Sequence, residues 1–97
     1  MSSGMLTDFI NENKDRLLEL KVSVDEIKSS ELSFKERAEQ VDLFSETAFM
    51  RIRLFNSNRL YMQILNYESE KTIYFFDDVL DDDVNLDEFI MEAIYKM

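Results

Sequence analysis

The residues with the most chemical potential in this 97-residue chain lie near its end. Asp81, Asp83, Asn85, Asp87 and Glu92 fall at positions one, three, five, seven and twelve of a calcium-loop spacing. The match is partial. Leu86 stands where the sharp turn of such a loop wants glycine, and Glu88 where an apolar residue belongs. A helix start with acidic decoration accounts for the same residues, so no metal or other cofactor is expected. Asp77 and Asp78 form a carboxylate pair of the kind that acid–base catalysis uses, but no interleaved glycine or nearby basic residue suggests a pocket around them. The chain has no histidine and no cysteine. Those absences remove the usual zinc ligands, nucleophile–base pairs and the commonest general base, so no catalytic residue is assigned and the expectation is a binding protein, not an enzyme.

Charge points the same way. The net charge is −10. Residues 77–97 hold eight acidic residues and one lysine, and so carry −7 of it. A field of this sign repels nucleic acid and anionic membrane and steers toward basic partners, although acidity also serves plain solubility. Asp77, Asp78, Asp81, Asp82, Asp83, Asp87 and Glu88 are therefore the first candidates for contact with a basic protein partner.

A second candidate surface comes from residues 49–65. Met50, Ile52 and Leu54 alternate with Arg51, Arg53 and Phe55; after Asn56-Ser57-Asn58, Leu60, Met62 and Ile64 alternate with Arg59, Tyr61 and Gln63. A three-residue hairpin loop sets Leu54 opposite Leu60, Ile52 opposite Met62 and Met50 opposite Ile64, which puts every apolar residue on one face. Asn58 is placed at the loop position that takes a left-handed backbone, which asparagine tolerates better than most residues. The other face presents arginines and aromatics, with Phe44, Tyr74 and Phe76 expected to join it. These types are enriched at interfaces, and Phe55 and Tyr61 are the candidate anchors. Ordinary cross-strand pairing explains the same residues equally well.

Phe49-Met50-Arg51-Ile52-Arg53-Leu54-Phe55-Asn56-Ser57-Asn58-Arg59-Leu60-Tyr61-Met62-Gln63-Ile64-Leu65-Asn66 resembles the core hairpin of TriTu-type immunity proteins of bacterial polymorphic toxin systems. In that family a strand ends in an aromatic, usually tryptophan, before a short Ser-Gly turn into the next strand. Here Phe55 replaces the tryptophan and Asn58 the glycine, both mild changes. The resemblance implies a protein made by the toxin producer that neutralises the toxin by binding it, with no catalytic residues to carry over. Two other readings remain open: an acidic, nucleic-acid-mimicking inhibitor or regulator, phage-encoded for example, and a structural homodimer whose open sheet face packs on itself.

The elements that must position these residues follow from periodicity. Residues 6–20 read as an amphipathic helix with Leu6, Phe9, Ile10, Leu17 and Leu20 near one stripe. From Leu18 to Val24 the pattern turns to alternation, a strand signal. Lys28-Ser29-Ser30-Glu31 reads as a loop, Ser33 to Ala38 as a helical turn or a mobile segment, and Gln40 to Ser45 as a strand. A turn at Glu68-Ser69-Glu70 leads to a strand over Thr72–Phe76, and Asp77–Asp83 reads as an acidic connector. Asn85 caps a last helix, with Glu88 three residues on in an approximate capping box. The expected fold is α+β: a mostly antiparallel sheet of about five strands, with the N- and C-terminal helices packed on one face.

Met1-Ser2-Ser3-Gly4, ahead of a second methionine, reads as a cloning remnant, which leaves one domain over residues 5–97. With 45% hydrophobic and 33% charged residues the chain belongs to the globular class. There is no apolar run near the roughly 18–20 residues that span a bilayer and no basic-plus-apolar signal segment, so the expected location is the cytoplasm.

Overall fold

Alternation of side chains over residues 50–54 and 60–64 leaves the chain one way to put Met50, Ile52, Leu54, Leu60, Met62 and Ile64 together, as two paired strands sharing a buried face. In a computed structural model that describes residues 5–31 and 37–97, these strands are the centre of the sheet. In chain order the elements are α1 (Met5–Glu12), α2 (Lys14–Glu19), β1 (Ser23–Val24), β2 (Lys28–Glu31), β3 (Arg37–Phe44), β4 (Ala48–Phe55), β5 (Arg59–Asn66), β6 (Thr72–Val79) and α3 (Leu86–Ile94). Residues 1–4, read above as a cloning remnant, and residues 32–36, which include Ser33 to Glu36 of the expected turn at Ser33–Ala38, lie outside the described residues. Ala38 itself belongs to β3.

The fold is α+β. Strands β3 to β6 form an antiparallel meander, and β1 and β2 both pair with the outer side of β3, at opposite ends of it. The central register sets Leu54 opposite Leu60, Ile52 opposite Met62 and Met50 opposite Ile64, as the alternation requires. Across β3 and β4, Val41 faces Ile52 and Leu43 faces Met50. All these side chains are buried with Leu6 and Phe9 of α1, Leu17 of α2, and Ile90, Met91, Ala93 and Ile94 of α3, in one core between the helices and one sheet face. Fully burying each large apolar side chain contributes about 1.5–3 kcal/mol, which is what holds three short helices to the sheet. Asn85 caps α3 as expected: its side chain accepts the Glu88 N–H at 3.1 Å.

Four local expectations are corrected. The single helix over 6–20 is interrupted at Asn13 (φ −109°, ψ 15°), where helical bonds continue (Asn13 N–H to the Phe9 carbonyl, Leu17 N–H to the Asn13 carbonyl) but the buried Asn13 side chain also donates to the Phe9 carbonyl at 2.9 Å. Competition of a short amide for a backbone acceptor distorts the turn. The alternation from Leu18 to Val24 is not a strand until Ser23. The helix closes instead with Lys21 in the left-handed region (φ 59°), its N–H bonded to the Leu18 carbonyl and the Val22 N–H to the Leu17 carbonyl. This is a Schellman closure, completed by burial of Val22 near Leu17. The expected loop Lys28-Ser29-Ser30-Glu31 is strand β2, paired with residues 37–40 of β3. Backbone pairing at a sheet edge outweighs the weak strand preference of lysine and serine. Finally, Asp77 and Asp78 belong to β6 and not to the acidic connector, which begins only after Val79.

Candidate functional site

With the helices on one face, the other face of the sheet is open, and the register sets its residues in rows. Gln40, Arg53, Tyr61 and Asp77 make one row; Asp42, Arg51, Gln63 and Phe75 make the next. Oppositely charged neighbours across the strands pair. Arg51 donates to Asp42 through two bonds of 3.0 and 3.3 Å, and Arg59 to Asp77 through two of 2.8 and 2.9 Å. These forked contacts hold the Asp77 carboxyl below the usual carboxylate range and the Arg51 guanidinium above its ordinary value. Arg53 takes a neutral partner, the Gln40 side-chain oxygen at 3.1 Å. The Tyr61 hydroxyl donates to Gln63, whose amide donates to Thr72. Arg51, Arg53, Phe55, Arg59, Tyr61 and Asp77 surround a shallow hollow of about 280 Å³.

The aromatics of this face are not all anchors. Phe55 is only 8% exposed, with the Arg59 guanidinium 5.4 Å from its ring centre, so it supports the surface from beneath and does not project from it. Tyr61 is half-buried and meets Phe75 edge-on at 5.6 Å. Phe44 lies on the open face as expected, against Phe49. Tyr74 and Phe76 do not. They point to the core, where Phe76 packs on Phe89 of α3 and burial pushes the Tyr74 hydroxyl's pKa up. Their neighbour Phe75 takes the open position, 57% exposed, with Ile73 exposed beside it. Residues 72–76 are apolar or aromatic almost throughout, so their facing cannot be counted from sequence, and an irregularity in the β5–β6 pairing at Ile64/Leu65 shifts the count further.

The acidic candidates divide into three groups. Asp77 is held by Arg59, and Asp78 accepts the N–H of its own neighbour Val79 at 2.8 Å. Asp81, Asp82 and Asp83 are exposed in the turn that follows β6. That turn is fastened to the β4–β5 loop by the Leu80 N–H bonding to the Asn58 carbonyl at 2.9 Å, and Asn58 has the positive φ (66°) expected of it. A second hollow of about 200 Å³ lies there, lined by Leu54, Asn58, Leu80, Asp81, Asp82 and Leu86 among others; Leu54 is a core residue and Leu80 and Leu86 pack against the core, so the acidic turn adjoins the edge of the core at the hairpin tip. Asp87 and Glu88 begin α3. Asp87 sits against Glu12 at the end of α1, and a hydrogen bond and like charge from Asp87 raise the Glu12 carboxyl above its ordinary value. Among the described residues no three carboxylates gather in a geometry able to hold a metal ion, and the calcium-loop positions are divided between an open turn and a capped helix.

What the arrangement offers is a surface: a self-paired layer of arginines and aromatics on the open face, with the exposed carboxylates of Asp81, Asp82 and Asp83 in the turn after β6. No curated protein and no solved structure matches the chain. The family model described as immunity protein TriTu matches residues 5–94, from the start of α1 to the end of α3, so every element above falls within the match. The chain belongs to the TriTu immunity protein family.

Proposed function

We propose that this protein neutralises a cognate bacterial toxin by binding it one to one, in the cytoplasm of the cell that makes the toxin, and that it performs no catalysis of its own. The observation that carries this reading is the family match over residues 5–94. A single core with paired charges on its open face is consistent with a preformed binding surface. The toxin domain is basic and meets Asp81, Asp82 and Asp83, with Asp87 and Glu88 at the start of α3. Tyr61, on the open face of β5, contributes apolar contact. Nucleic acid and membrane are not partners on this reading, since a net charge of −10 opposes both.

Binding kinetics against the toxin domain test it. Exposed carboxylates act mainly on the association rate, and salt screens them. Replacing Asp81, Asp82 and Asp83 together by asparagine should slow association and flatten its salt dependence, with little change in folding stability. Tyr61→Ala should instead speed dissociation. Unchanged association of the triple variant at low salt, together with loss of binding in Tyr61→Ala, would remove the acidic turn from the contact.

A further inference from the structure

The two edges of the sheet are finished differently. On one side β3 is covered by β1 and β2, of two and four residues. On the other side β6 runs for eight residues and, among the described residues, pairs only with β5. An uncovered edge presents a row of backbone donors and acceptors, and proteins usually blunt such edges with lysine, proline or a short strand. Residues 72–79 contain neither lysine nor proline.

Two hydrogen bonds show which groups face outward. The Leu80 N–H bonds to the Asn58 carbonyl and so continues the β5–β6 ladder, whereas the Val79 N–H is taken by the Asp78 side chain. Backbone groups alternate in direction along an antiparallel strand, and residues 75–79 keep regular register with β5. Phe76 and Asp78 therefore point their N–H and C=O toward β5, while Phe75 and Asp77 point theirs away from the sheet. The side chains along this edge include Ile73, Phe75 and Val79, each roughly half exposed (48%, 57% and 59%).

Charge selects the occupant. Asp81, Asp82 and Asp83 follow directly on β6, and residues 77–97 carry a net of −7. A second copy would approach the same edge with the same net charge of −10, a repulsive encounter. A basic strand would be attracted to the same place. We infer that the outer edge of β6 receives an extended, lysine- or arginine-bearing segment of the toxin, which adds to the sheet as a further strand through the backbone groups of Phe75 and Asp77 and lays apolar side chains on Ile73, Phe75 and Val79. This rests on the proposed function and assigns the contact to a strand edge. Strand addition of this kind takes affinity from main-chain bonds and selectivity from the flanking side chains.

The experiment is amide hydrogen exchange, free and in complex with the toxin domain encoded beside this chain and inactivated by mutation. The amides of Phe75 and Asp77 should exchange fast in the free protein and slowly in the complex. Phe75→Pro removes an outward N–H without touching the ladder to β5, and should weaken binding about tenfold or more with an unchanged circular dichroism spectrum; Phe75→Leu, which keeps the N–H, should bind nearly as well as the parent. If the proline variant fails to fold, exchange in the parent complex decides alone. A complex that forms with both amides still exchanging at their free rate overturns the strand inference and leaves the proposed function standing. No complex at all overturns both. Protection of the two amides without toxin, growing with protein concentration, would mean that a second copy occupies the edge and would overturn the inference.

Discussion

The hairpin turn offers a clean test, because one backbone angle there sets a measurable cost. Asn58 sits at φ 66°, donates its N–H to the Phe55 carbonyl at 3.1 Å and accepts the Leu80 N–H at 2.9 Å. Both bonds require the left-handed conformation, which costs an ordinary L-residue about 1–2 kcal/mol, with asparagine at the low end. Valine at position 58 bears that cost in full and adds a restricted side-chain rotamer, so Asn58→Val should lose about 2 kcal/mol. In a domain of this size each kcal/mol moves the melting temperature by about 4–8 °C, so the expected drop is about 8–16 °C. Asn58→Gly relieves the steric term but frees the unfolded chain by about 0.5–1 kcal/mol, and should be neutral or slightly stabilising. Thermal unfolding followed by circular dichroism measures all three proteins. Ser57→Val, at an exposed position in the same turn, controls for the bulk of the new side chain. If Asn58→Val melts within about 2 °C of the parent, the turn does not depend on a left-handed residue and the reasoning is wrong.

Two further outcomes follow from the core and the helix ends. Ile64 has no exposed surface in the central strand pair, so Ile64→Ala should cost about 2–5 kcal/mol in denaturant unfolding; a loss below about 1 kcal/mol would mean that the core closes around the gap. The Glu12 carboxyl is raised by Asp87, so the folded state holds a proton more tightly than the unfolded state. Stability from this group is therefore present below the ordinary glutamate value and lost as pH rises through the raised one. Glu12→Gln should then be more stable than the parent at neutral pH, with the gap closing as pH falls; denaturant midpoints taken across that range would show it, and an equal gap at every pH would count against the Glu12–Asp87 contact.

Several features were readable from residue types alone because each depends on local rules. Alternation over residues 50–54 and 60–64 has one register that keeps its apolar side chains together, and asparagine at position 58 suits the one loop position that disfavours a β-carbon. The cap of α3 needs only Asn85 and the N–H of a residue three places on. Even the acidic turn at Asp81–Asp83 could be counted, though its first residue could not, because Asp77 and Asp78 extend only by virtue of pairing with Tyr61 and Leu60.

The remaining features depend on what the rest of the chain provides. Leu18, Leu20, Val22 and Val24 alternate like a strand, yet the chain closes a helix there because Val22 reaches the same core as Leu17. Lys28 to Glu31 becomes a strand because β3 offers an open edge beside it. The facing of Tyr74, Phe75 and Phe76 is invisible in a run of similar apolar residues and is decided by an irregular pairing with β5 and by contact with Phe89 of α3. Composition and periodicity alone establish the α+β class, the buried face of the central hairpin and the acidic C-terminal region. Only the tertiary structure decides that Phe55 lies beneath Arg59, that Phe75 stands exposed, and that β6 is an open edge, because which groups a strand buries or leaves unpaired is a property of its neighbours and not of its own residues.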